Sequence, residues 1–98
     1  LGIIDQTMYQ PEKIKLIGTY PNPFNPLTTI LYELSEMSWM HVDVYNIRGQ
    51  QVENLYKGVK SPGSYQLNWD ASTYSSGMYF IVLSAPSIRL MHKVILLK

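Results

Sequence analysis

At 98 residues, 46% hydrophobic and without cysteine, the chain is sized for one core, with no disulfide frame, thiolate metal site or Cys nucleophile. Its net charge of +1 comes with eight basic residues that never adjoin, which speaks against a nucleic-acid groove or a polybasic membrane contact. Charged residues make up only 15% and tyrosines number eight, a balance that favours strands and amphipathic positions over helices.

Leu1-Gly2-Ile3-Ile4-Asp5 carries neither an initiator Met nor the basic start of a signal peptide, so it reads as the continuation of a longer chain. Residues 1–12 have no clear period and are expected to be a linker or a remnant of the parent protein, with the domain proper spanning 13–98. From Lys13 the pattern becomes regular: Ile14, Leu16 and Gly18 alternate with Lys15 and Ile17, the signature of a first strand. Tyr20-Pro21-Asn22-Pro23-Phe24-Asn25-Pro26 follows. Its prolines keep Tyr20, Asn22 and Asn25 out of the helical region, predicting a stiff extended loop with Phe24 plugging one end of the core.

Alternation resumes at Thr28–Leu34, with Ile30, Tyr32 and Leu34 on one face, and continues with Met40, Val42 and Val44 opposing His41, Asp43 and Tyr45. Asn46-Ile47-Arg48-Gly49 predicts a type I turn closed by a left-handed Gly49, hence a hairpin. Gln50–Tyr56 is a weaker strand, and the odd spacing of Val52 and Leu55 implies a bulge. Ser61-Pro62-Gly63-Ser64 carries the residues of a type II turn and launches Tyr65, Leu67 and Trp69. Asp70–Gly77 is a polar loop, with Asp70 placed to accept backbone amides in an Asx-turn. Tyr79, Ile81 and Leu83 mark the sixth strand, Ala85-Pro86-Ser87 turns the chain, and Leu90, His92, Val94 and Leu96 share one face of the last. No window carries a helical stripe, and none approaches the length of a membrane helix. The expected fold is an all-β, immunoglobulin-like antiparallel sandwich of about seven strands, with Trp39 and Trp69 in the core or at its rim.

Chemistry-bearing constellations are sparse. His41 and Asp43 have two-residue strand spacing, but two ligands fall short of a metal site and the pair reads as solvated. His92 reads as a satisfied edge histidine, and Ser75-Ser76-Gly77 lacks the flanking glycine of a nucleophile elbow. Glu33 and Glu36 are expected in solvent, and calcium at Asp70 with Asn68 is the lesser alternative to a loop-fixing role. The expectation is no enzyme, no metal and no cofactor. Tyr45, Tyr56, Tyr74 and Trp39 would form a sugar-stacking platform only if their rings are coplanar, which leaves an accessory carbohydrate-binding module or a structural spacer as the alternative reading.

Three segments together resemble a known family. They are Tyr20–Pro26 with Thr28-Thr29-Ile30 and Tyr32-Glu33-Leu34; Val42–Val52, which includes Gly49; and Trp69-Asp70, Ser76-Gly77-Met78-Tyr79-Phe80 and Lys93–Lys98. This set is similar to the type A C-terminal sorting domain of the type IX secretion system, and more distantly to the immunoglobulin-like domain of the flagellar hook-capping protein. The resemblance implies that the domain directs a larger cargo, upstream in the same polypeptide, across the outer membrane to the surface or beyond. The implied partners are the outer-membrane secretion machinery and a cell-surface sortase that removes the domain and anchors the cargo to a surface glycolipid. It further implies recognition at the last strand, at Lys93, Val94, Leu96, Leu97 and Lys98, while Gly77 and Tyr79 belong to the fold. A terminal edge strand offers unpaired backbone groups, open to strand addition by a receptor or to pairing in an edge dimer.

Overall fold

The computed structural model describes residues 14–98; the expected linker at 1–12 and the proposed domain start at Lys13 lie outside them. Among the described residues seven strands are present: β1 (Ile14–Tyr20), β2 (Leu27–Leu34), β3 (Ser38–Asn46), β4 (Gln51–Lys60), β5 (Gly63–Asp70), β6 (Gly77–Ala85) and β7 (Ile88–Leu96). The pairings between these strands are antiparallel, in a three-stranded sheet ordered β1-β2-β5 and a four-stranded sheet ordered β4-β3-β6-β7. An immunoglobulin constant domain keeps its fourth strand beside its fifth. Here β4 instead continues the hairpin with β3.

Period-two alternation decides the packing. Ile30, Tyr32 and Leu34 of one sheet face Met40, Val42, Val44, Ile81, Leu83, Val94 and Leu96 of the other, all buried. Each aliphatic side chain so buried contributes about 1.5–3 kcal/mol relative to exposure. Toward the end holding the proline loop the filling is aromatic. Trp69, fully buried, lies 5.4 Å from Phe24, 5.6 Å from Tyr74 and 5.5 Å from Tyr79 between ring centroids. Its indole N–H donates to Glu53 Oε1 at 3.0 Å, and the Tyr74 hydroxyl donates to the same oxygen at 2.9 Å. The polar atoms of a buried aromatic hub are thereby satisfied, as burial demands.

The Asn46–Gly49 turn forms with the Gly49 amide donating to Asn46 O at 3.0 Å and Gly49 at φ 80°. The Asn46 side-chain oxygen also accepts the amides of Arg48 and Gln50. In β4 the register against β3 slips twice, at Leu55 and at Val52, and the strand runs on to Lys60, beyond the expected Tyr56.

Two expectations are corrected. Ser61–Ser64 is not a type II turn: Gly63 has φ 154° rather than the roughly +80° that turn needs. The reason is topological, because this connection crosses from one sheet to the other and does not fold a strand back on its neighbour. Asp43 is not solvated. It is only 3% exposed although it sits on the outer parity of β3, because Asn54 (2.8 Å) and Gln51 (3.2 Å) donate to Oδ1 while His41 Nδ1 lies 2.6 Å from Oδ2.

Candidate functional site

The loop that joins β1 to β2 and the strand that closes the chain form one structure. All three peptide bonds preceding Pro21, Pro23 and Pro26 are cis. The segment is fixed at both ends of its course: Thr28 Oγ1 donates to Pro21 O at 2.7 Å, and the Ala71 amide donates to Pro26 O at 2.9 Å. Phe24 is 3% exposed, inserted against Trp69 as the sequence predicts. Between these anchors the loop runs beside β7. The Asn22 Nδ2 donates to Lys93 O at 3.1 Å and its Oδ1 accepts the Ile95 amide at 3.0 Å. The Phe24 amide then donates to Ile95 O at 2.9 Å, and the Leu97 amide donates to Phe24 O at 3.0 Å. Phe24 and Leu96 thus make a parallel bridge.

The end of the chain is clasped from its other side. The Lys98 amide donates to Ser76 Oγ at 2.9 Å and its ammonium to Ser72 O at 2.7 Å, both in the loop between β5 and β6. That loop is itself ordered by Asp70, whose Oδ1 accepts the Ser72 amide at 3.0 Å in the expected Asx-turn. The Ser72 side chain and then its backbone amide hold the Asp70 carboxyl below its usual range. Tyr79 adds a hydroxyl bond to Ser75 O at 2.7 Å, and Gly77 opens β6 opposite Leu96.

Among the residues singled out for recognition, Val94 and Leu96 point inward and are fully buried, whereas Lys93, Leu97 and Lys98 are exposed. A receptor that meets the folded domain therefore reaches side chains at Lys93, Leu97 and Lys98. The expectation of an open terminal edge needs correction. β7 is the outer strand of its sheet, but from Lys93 to Leu97 the proline loop occupies its free side. Sequence reading missed the role of Asn22 because its partners lie 71 and 73 residues away. The serine clasp on Lys98 carried no signal of its own.

The other constellations stay dispersed. Glu33 and Glu36 are exposed, His92 is half-buried on the inner face of β7, and Asn68 is engaged with Thr29 at 2.9 Å. No group of three or more His, Cys, Asp or Glu capable of holding a metal occurs among the described residues. The four aromatics of the imagined platform do not share a face. Trp39 and Tyr45 lie on the outer face of β3, Tyr56 pairs with inward Val42, and Tyr74 packs on Trp69 with its hydroxyl on Val52 O and Glu53. Burial is the first cause, and Glu53 the second, of a raised Tyr74 pKa.

Among the described residues, fold and site together define a seven-stranded antiparallel sandwich whose strand β7 is bound into a proline loop. The model of the secretion system C-terminal sorting domain matches residues 18–97, and the chain belongs to that family. No curated protein matches the chain. The domain is thus a sorting signal for type IX secretion, acting with that machinery on a cargo in the same polypeptide and destining it for secretion or the outer-membrane cell surface.

Proposed function

We propose that this is a non-catalytic sorting module whose signal is the end of β7, presented through Lys93, Leu97 and Lys98 on the buried footing of Val94 and Leu96. The observation that carries this reading is the double fixation of that end, by Asn22 and Phe24 on one side and by Ser72 and Ser76 on the other. Two exposed cations and an exposed leucine are held in set positions at a strand terminus, which is what a receptor needs to avoid ordering costs on binding. In this reading a surface sortase acts on the polypeptide ahead of β1, after translocation. Pairing of two copies through β7 would have only the part of the edge before Lys93 to use.

The test is a reporter fused ahead of the chain in a bacterium with type IX secretion. Leu97→Ser combined with Lys98→Glu should abolish surface delivery while leaving the fold intact by circular dichroism. Undiminished delivery would refute the terminal signal.

A further inference from the structure

The edge of β7 is divided in two. Backbone amides and carbonyls of an antiparallel strand turn to opposite sides at successive residues. The Lys93 carbonyl, both groups of Ile95 and the Leu97 amide face the proline loop. By the same alternation the amides and carbonyls of Arg89 and Met91, and the amide of Lys93, face that same side. None of these has a backbone partner among the described residues, since β7 ladders only with β6 and its bonds to the loop begin at the Lys93 carbonyl. An unpaired row of this kind is what natural edges normally cover or blunt. Here one half is covered with a side-chain amide in place of a peptide group, and the other half has no backbone partner among the described residues.

The half without a backbone partner also has a distinct surface. Met91 is 59% exposed between exposed Arg89 and Lys93 on the outer face. Beside it a shallow depression of about 250 Å³ is lined by Tyr45, Ile47, Phe80, Val82, Arg89 and Met91. The Arg89 guanidinium stands 5.9 Å from the Tyr45 ring centroid.

We infer that Arg89–Lys93 is a strand-addition site that takes a short extended segment of the export machinery as the next strand of the β4-β3-β6-β7 sheet. The occupant follows from the outer face of this edge: an apolar side chain beside exposed Met91, flanked by acidic residues that meet Arg89 and Lys93. Asn22 fixes its length, because the added strand cannot continue past the position that the asparagine amide already fills. The inference rests on the reading of β7 as the sorting strand and adds where, and by which groups, it is gripped.

Met91→Pro tests it directly. Proline removes the outward amide but leaves the β6 ladder untouched, and edge strands tolerate it on the solvent side. In the same reporter assay Met91→Pro should reduce surface delivery about tenfold, as loss of one ladder bond and its geometry implies, while Met91→Leu keeps it. Arg89→Glu, which leaves both the backbone and the terminal signal alone, should reduce delivery similarly and covers the case in which the proline variant fails to fold. Wild-type delivery by folded Met91→Pro or by Arg89→Glu overturns the inference, as does an equal loss in Met91→Leu. Sedimentation of the chain alone should show a monomer; concentration-dependent protection of the Arg89 and Met91 amides from hydrogen exchange would assign the edge to a second copy instead. If only the Leu97→Ser/Lys98→Glu variant loses delivery, strand addition falls and the terminal signal stands. If no variant does, both fall.

Discussion

The side chain of Asn22 sits beside Ile95 as a peptide group of a neighbouring strand would, accepting its amide at 3.0 Å while donating to the carbonyl two residues earlier at 3.1 Å. A carboxamide has the same donor and acceptor as a backbone amide, so one asparagine continues the ladder where prolines on either side cannot donate. Asn22→Ala should therefore unpair both groups at once. The expected loss is about 1–2 kcal/mol of unfolding free energy by urea titration, with faster exchange localised to the Ile95 amide. An unaltered Ile95 exchange rate would show that the loop backbone alone holds the strand.

Glu53 of β4 links two aromatic rings, Trp69 at the end of β5 and Tyr74 in the loop that follows it. Its Oε1 accepts from both Trp69 and Tyr74. Glu53→Ala leaves the indole N–H of a fully buried Trp69 without its acceptor, a cost of about 1–3 kcal/mol. Trp69→Ala, which empties the centre of the aromatic end, should cost about 3–5 kcal/mol. Thermal unfolding of the two variants should reproduce this order, with Trp69→Ala the less stable.

Tyr32 gives the domain an alkaline limit. Burial first, then the neighbouring Tyr56 and Tyr65, push its pKa up to about 12 from the ordinary 10.0. In the unfolded chain the phenol ionises near its ordinary value, so between that pH and 12 the unfolded state binds fewer protons than the folded one and stability falls as pH rises. Below pH 10 this contribution, on the order of 2–3 kcal/mol, is fully present. Tyr32→Phe should flatten the decline in denaturation midpoints above that pH, and a slope equal to wild type would assign the alkaline limit elsewhere.

Gly49 offers a cleaner backbone test. Its φ of 80° is in the left-handed region, and an added Cβ would meet nothing within 4 Å. Gly49→Ala thus reports conformational cost alone, about 1–2 kcal/mol, with no steric term. Gly49→Asn should recover part of it, since asparagine visits this region more readily.

What the sequence reveals depends on the range of each interaction. Met40, Val42 and Val44 declare their face by alternation, and Asn46–Gly49 declares its turn by local chemistry. Leu55 and Val52 even betray the places where β4 slips against β3. Ser61–Ser64 misleads because its residues suit a reversal, whereas the chain there changes sheets; turn composition does not encode which sheet the next strand joins. Asp43 misleads in another way: alternation places it outward, and only Asn54 and Gln51 on the neighbouring strand close it off. The exposed cations at Lys93 and Lys98 are visible in sequence, but not the covered edge between them, because its contacts span most of the chain.

The pairing of the opening loop with the closing strand also has a consequence in time. Asn22 and Phe24 are synthesised some seventy residues before the groups they bind, at Lys93, Ile95 and Leu97. During translation from the N-terminus the loop waits, with Phe24 lacking the edge that fixes it, until the final strand emerges. A polypeptide cut short before Lys93 can lay down most of both sheets yet never close this seam. The domain's finished shape is therefore a certificate that translation has passed through β7.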